Sequence, residues 1–243
     1  MSEKEEFFNM LLLNTGRILL AINLLLLAIG VLKWTTLNTA LKTFWSYLLA
    51  VVLYNFIEQG FIWSVTHYTN FWRPFLKEFQ IGDTNFLNIL SREIDYIILG
   101  IYYSKVLHGV YSKLILAISI ALFGTALCVY FWVDGFRTFG NVNATINRLF
   151  LVIIPTFHLW FLNKSAPVLN LSKNSYFLIS VGLLIPNLFG LFLSFVGDKI
   201  NQTDFILFVQ LSLVRNALSA IGLLLFAYAF YQSKYIKYLP KFV

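Results

Sequence analysis

Seven apolar stretches, each about as long as the hydrocarbon core of a bilayer demands, divide this chain of 243 residues. A helix rises 1.5 Å per residue, so roughly 20 apolar residues cross the hydrocarbon. The stretches run over residues 13–33, 41–67, 86–107, 113–133, 144–162, 175–196 and 205–231, leaving only short links and tails. At 59% hydrophobic and 12% charged the chain is far more apolar than a soluble domain of this size. The expected fold is all-α: a polytopic membrane protein with seven transmembrane helices and a single domain spanning residues 1–243.

The charges in the links assign an orientation. The links after stretches one, three and five, with the C-terminal tail, carry nine lysines and no acid: Lys33, Lys42, Lys105, Lys113, Lys164, Lys173, Lys234, Lys237 and Lys241. The N-terminus and the remaining links carry Glu3, Glu5, Glu6, Glu78, Asp83, Asp134, Asp198 and Asp204, against Lys4, Arg73, Lys77, Arg137 and Lys199. Lys and Arg collect on the cytoplasmic side of membrane proteins. The N-terminus is therefore expected outside and the C-terminus in the cytoplasm, in a bacterial inner (plasma) membrane. The six tryptophans agree: Trp34, Trp45 and Trp160 fall near the inner surface of this map, Trp63, Trp72 and Trp132 near the outer one. The acidic start MSEKEEFF lacks the positive region of a cleaved signal peptide, so the first stretch is expected to stay as a helix.

Several function classes are excluded by what the residues cannot do. The net charge of +7 comes from the dispersed lysines, which suit anionic lipid headgroups rather than nucleic acid. The single cysteine, Cys128, lies in an apolar stretch and supports neither a disulfide framework nor a thiolate metal site. His67 and His108 belong to opposite surfaces and His158 to the inner end of the fifth stretch, so no three-histidine metal site is expected. No HExxH, GxSxG, phosphate loop or dinucleotide fingerprint occurs, so no enzyme, no metal and no cofactor is expected.

Charged residues inside the stretches are the functional candidates: Arg17, Arg92, Arg148, Arg215, Glu58, Glu93 and Asp95. Each costs roughly 2.5–3.5 kcal/mol at membrane depth on insertion scales and normally faces the bundle interior. By direction of travel Arg17, Arg92, Arg148 and Glu58 fall in the outer half and Arg215 nearer the midplane. Ser212, Arg215, Asn216 and Ser219 share one helical face, as do Asn55, Glu58 and Gln59. Arg92 and Asp95 are one turn apart, with Tyr96 a turn on from Arg92; Glu93 points elsewhere. Asn187 follows Pro186, where backbone groups are freed, and Asn147 and His158 lie on one stripe. Two readings stand. In one, the guanidinium groups grip a small anionic ligand in forked geometry in a pocket open to the outside. In the other, the acids pair with the arginines and only fix helix register, with Arg17 snorkelling to the headgroups.

The link between stretches two and three reads YTNFWRPFLKEFQIGDT. Phe71, Trp72, Phe75, Leu76 and Phe79 recur at helical spacing, which predicts a short helix on the outer surface or an aromatic loop packed over the bundle mouth. Either would serve as a lid. Pro155 and Pro186 sit mid-stretch, where each kinks its helix as a packing feature or a hinge.

Seven spans with an outer N-terminus also describe microbial rhodopsins, but the seventh stretch has no lysine for a retinal Schiff base. G-protein-coupled receptors share the topology, yet the inner end of the third stretch reads YYSKVL, and SREIDY lies at its outer end. LYNFIEQGF (53–61) and NILSREIDYIILGIYYSKVL (88–107) resemble bacterial seven-helix integral membrane proteins that are similar to the membrane sensor portions of some histidine kinases. The resemblance runs loosely from the second stretch to the seventh and implies a sensor. With only a short tail after the seventh stretch, a signal is expected to pass to a cytoplasmic or membrane protein partner. Three functions remain in play: a sensor or ligand-binding protein, a channel or small carrier acting as a homo-oligomer, and a structural subunit of a membrane complex.

Overall fold

The computed structural model describes residues 3–79, 81, 84–134, 141–165 and 171–234. Asp83, Arg137, Lys237 and Lys241 lie outside the described residues, as do the side chains of Glu3, Lys4, Glu5, Asp134 and Asp198.

Every regular element among the described residues is helical. The helices are α1 (Glu3–Leu32), α2 (Thr39–His67), α3 (Thr69–Glu78), α4 (Asn88–Ile94), α5 (Gly100–Val106), α6 (Val110–Val129), α7 (Asn141–Ser165), α8 (Ser175–Thr203) and α9 (Phe205–Tyr231). Six of them are long and apolar enough to cross a membrane, with spans at Glu6–Leu32, Thr39–His67, Val110–Trp132, Val142–Lys164, Ser175–Gly197 and Phe205–Lys234. The protein is accordingly built as an integral membrane protein.

The expected third stretch, 86–107, is not a seventh such helix. It is helical from Asn85 to Val106, but a five-residue π-helix, Asp95–Leu99, separates α4 from α5. Each piece is short, and Arg92, Glu93 and Asp95 fall together where the helix widens. Single π-turns of this kind interrupt α-helices frequently at functional sites. Other boundaries moved outward. α1 begins well before residue 13, since acids in a first helical turn suit the helix dipole. α8 runs on to Thr203, so the polar link after residue 196 is mostly helix, and Asp204 turns the chain alone. Its carboxylate accepts from Leu207 N at 2.9 Å and caps α9.

The chain groups into two compact units, residues 1–42 with 148–243 and residues 43–147. In the first, α8 packs along α9, and α9 along α1. The contact of α8 with α9 is set by two glycines. A Cβ on Gly222 would stand 2.5 Å from the Gly182 carbonyl oxygen, and one on Gly182 would stand 2.9 Å from the Gly222 carbonyl oxygen. Pro186 has no N–H to bond the Gly182 carbonyl four residues before it. That freed carbonyl faces the bare Cα of Gly222, a close approach that small residues allow between membrane helices. Ser175 Oγ, donating to the Ala229 carbonyl at 2.7 Å, ties the other end of α8 to α9. His158 and Ser180 are both buried and share a 2.8 Å hydrogen bond between α7 and α8.

In the second unit α5 packs on α6, with Gly100 directly against Ser119. Tyr96, Leu99, Tyr102 and Phe44 are fully buried around this segment, Phe44 and Tyr102 with ring centroids 5.3 Å apart. The short helix expected after α2 is present as α3. Its Trp72 indole donates to Ser64 Oγ on α2 at 2.9 Å and its ring meets Phe61 edge-on.

The two-glycine contact predicts opposite outcomes for two Gly→Ala changes. Gly222→Ala should lower stability by about 1–3 kcal/mol, because backbone has to shift. Gly16→Ala in α1 has nothing within 4 Å and should raise stability by up to about 1 kcal/mol through helix propensity. Thermal unfolding in detergent compares them, and equal shifts would mean that the glycines do not set the α8–α9 distance.

Candidate functional site

The expected site residues divide between the units, and each group has its own chemistry. In the first unit lie Arg17, Arg148, Arg215 and Asn216; in the second lie Asn55, Glu58, Arg92, Glu93 and Asp95.

Arg148 enters the first unit at the N-terminal part of α7, where its guanidinium lies across Gly190 of α8. A Cβ there would come within 2.5 Å of a terminal nitrogen and 3.0 Å of the central carbon, so only glycine leaves the room. Arg148 also donates to Asn187 Oδ1 at 3.0 Å. Asn187 is itself held by its amide nitrogen, which donates to the Leu183 carbonyl at 2.7 Å in the turn that Pro186 weakens. Asn187 and Gly190 are three residues apart and so share a face of α8, one holding the fork and the other seating it.

Arg215 sits on α9, half-buried, and the positive charge of Arg148 acts on it. Among the described residues no acceptor is hydrogen-bonded to the Arg215 guanidinium. The described acids of this unit are Glu6 and Asp204; both are exposed, and Asp204 caps α9 eleven residues before Arg215, about 16 Å along the helix. On the same face of α9, Ser212 is buried and Ser219 donates to the Arg215 carbonyl at 3.0 Å. Asn216 is used structurally, donating to Thr15 Oγ1 of α1 at 3.0 Å. Arg17 is exposed two residues beyond, as the snorkelling expectation has it.

The second unit holds the acids. Arg92, Glu93, Asp95 and Tyr96 are all buried, so this helix is enclosed around its circumference rather than along one face. Asp95 opens the π-helix and accepts from Tyr47 Oη at 3.0 Å and from Asn147 Nδ2 at 3.1 Å. Glu58 accepts from Thr84 Oγ1 at 2.8 Å. Tyr54, one turn before Glu58, donates to Asn88 Oδ1 at 3.0 Å. Asn55 back-bonds to the Val51 carbonyl of its own helix at 2.8 Å and contributes nothing across elements. Glu93 is the exception: at 9% exposure, neither carboxylate oxygen has a hydrogen-bond partner among the described residues. An open cleft of about 190 Å³ lies between α2 and α3, lined by Phe61, Ile62, Val65, Thr66, Leu76, Ile81 and Thr84.

Sequence reasoning missed Tyr47, Thr84 and Gly190. Tyr47 lies a full helix away from Asp95 in sequence, and Thr84 and Gly190 have no charge to draw attention. Asn147 and His158 share a stripe of α7 as expected, yet each bonds within its own unit. No group of His, Cys, Asp and Glu suited to a metal occurs among the described residues. No protein-family model, no curated protein and no solved structure matches the chain.

The acids should respond differently to substitution. Asp95→Ala removes an acceptor shared by two donors and should cost about 2–4 kcal/mol, while Tyr47→Phe should cost about 1 kcal/mol. Glu93→Met should be neutral or stabilising by about 1–2 kcal/mol, since a buried carboxylate without partners is replaced by apolar volume. Chemical or thermal denaturation checks all three, and a Glu93→Met variant as damaged as Asp95→Ala would mean that Glu93 is structurally engaged.

Proposed function

We propose that this protein is a seven-span membrane sensor or ligand-binding protein, N-terminus outside and C-terminus cytoplasmic in a bacterial inner membrane, that takes a small anion between Arg148 and Arg215. In this reading the helical run from Asn85 to Val106 is the seventh span, 22 residues or about 33 Å long. The observation that carries the proposal is the pairing of two like charges in one unit: Arg148 is oriented by Asn187 and Gly190, and the charge of Arg148 bears on Arg215. Two guanidinium groups brought near each other repel until an anion bridges them, and each presents a planar fork that matches a carboxylate or phosphate. The sequence resemblance to sensor portions of histidine kinases points the same way, with the lysine-rich face as the side on which a partner protein would read the state of the bundle.

A channel or carrier is the second reading. Glu93 favours it, because a carboxylate with unpartnered oxygens at membrane depth suits a charged path better than a purely structural helix.

Purified protein should gain thermal stability from inorganic phosphate, sulfate or acetate at concentrations well above Kd. Saturation to 100 times Kd corresponds to about 2.7 kcal/mol. Arg215→Gln should abolish the gain, and stabilisation unchanged in that variant would remove the site. Anion flux into proteoliposomes that Arg215→Gln alters would instead make this a channel or carrier. Orientation is tested separately: a fluorescent protein fused to the C-terminus should fold and glow in a bacterial host, and a dark fusion with an active periplasmic reporter at the same point would reverse the topology.

A further inference from the structure

We propose that α3 is a membrane-interface shelf: the Phe71, Phe75 and Phe79 flank inserts into the lipid leaflet beside α2, while Arg73 and Lys77 stay at the headgroups. The inference rests on the reading of α2 as a membrane span and is otherwise independent of the anion site.

At 100° per residue the side chains of α3 sort into three sectors. Phe71, Phe75 and Phe79 occupy an arc of about 80°, Trp72 and Leu76 the next 60° or so, and Arg73 and Lys77 stand about 100–140° beyond Trp72. The middle sector is already used. Trp72 is hydrogen-bonded to Ser64 and packed on Phe61, and Leu76 lines the cleft against Phe61, Ile62 and Val65. These contacts fix the roll of the helix against α2. The phenylalanine sector is thereby left uncovered by the rest of the chain, at 75%, 42% and 40% exposure. Arg73, Lys77 and Glu78 are exposed on the other side.

What covers the phenylalanines follows from where they are. α3 starts two residues after α2 ends, so it lies at the level of the last turn of a span. That last turn exposes Trp63, with Tyr68 following between the helices and its ring edge-on to Trp63. The exposed phenylalanines continue this aromatic surface without a break. Trp and Tyr mark the headgroup boundary of a span. A helix with aromatic residues on one side and Lys and Arg on the other lies in the interface plane with its apolar side a few ångströms into the acyl region. Lipid is therefore the occupant, and water would leave three phenylalanine rings of one short helix exposed together.

The test uses full-length protein in lipid nanodiscs with Cys128→Ser, which removes the single cysteine, and one spin label at a time. Labels are placed at Phe71→Cys, Phe75→Cys, Lys77→Cys and, as an internal reference in the middle of α2, Leu53→Cys, which is exposed in the fold. Collision with oxygen is compared with collision with a water-soluble nickel chelate. The expected result is an oxygen-to-nickel ratio several-fold higher at Phe71 and Phe75 than at Lys77, approaching that at Leu53. Leu53 lipid-like with Phe71 and Phe75 as water-accessible as Lys77 overturns the shelf alone. Leu53 equally water-accessible overturns the membrane reading and the shelf with it. Dipolar broadening between Phe71 labels that disappears on dilution with unlabelled protein assigns the flank to a second copy of the chain, and the lipid proposal falls.

Discussion

A polar group at membrane depth has no water to bond, and most of what is specific in this chain answers that constraint. The backbone answers it by being helical wherever it is long and apolar, because a helix closes its own hydrogen bonds. Pro186 breaks that closure at one point of α8. The Gly182 carbonyl it frees is accommodated against Gly222, and the two helices come close enough there that neither position has room for a Cβ. One missing N–H thus sits at the centre of the α8–α9 contact, and Asn187, one residue on, supplies a side-chain bond to the next carbonyl before offering its oxygen to Arg148.

Side chains meet the same constraint in two ways. In the second unit the carboxylates of Asp95 and Glu58 accept from neutral hydroxyl and amide donors, Tyr47, Asn147 and Thr84. Such donors satisfy a charge without requiring a second desolvated ion beside it. In the first unit the charges are cationic, and the described partner of Arg148 is the oxygen of a neutral amide. A carboxylate met by neutral donors leaves the unit with negative charge, and an arginine met by an amide oxygen leaves it with positive charge. The units therefore differ in the sign of what they hold, which is why the anion proposal belongs to the first and Glu93 draws attention to cations in the second.

Much of this was legible in the sequence, and the illegible part has a common cause. Apolar runs placed six membrane-length helices and the amphipathic α3, since both depend on local composition and period. Face analysis worked on α9, where Asn216 and Ser212 turn inward with Arg215. It failed in the run from Asn88 to Val106, because a π-turn at Asp95 breaks the 100° register that face analysis assumes. Glu93, expected to point away from Arg92 and Asp95, is as buried as they are. Asn55, expected to join Glu58, spends its amide on its own helix instead.

The sequence by itself determined that the chain is helical, apolar enough to live in a membrane, and furnished with ionisable residues in segments where each one is costly. Those properties are sums over neighbouring residues, and they hold whatever the helices pack against. Only the tertiary structure decided which charge meets which partner. Gly190 seats Arg148, Tyr47 and Asn147 hold Asp95, and Glu93 is enclosed without a hydrogen bond because of distances between residues far apart in the chain. Helical period says which way a side chain points on its own axis, and packing alone says what stands opposite.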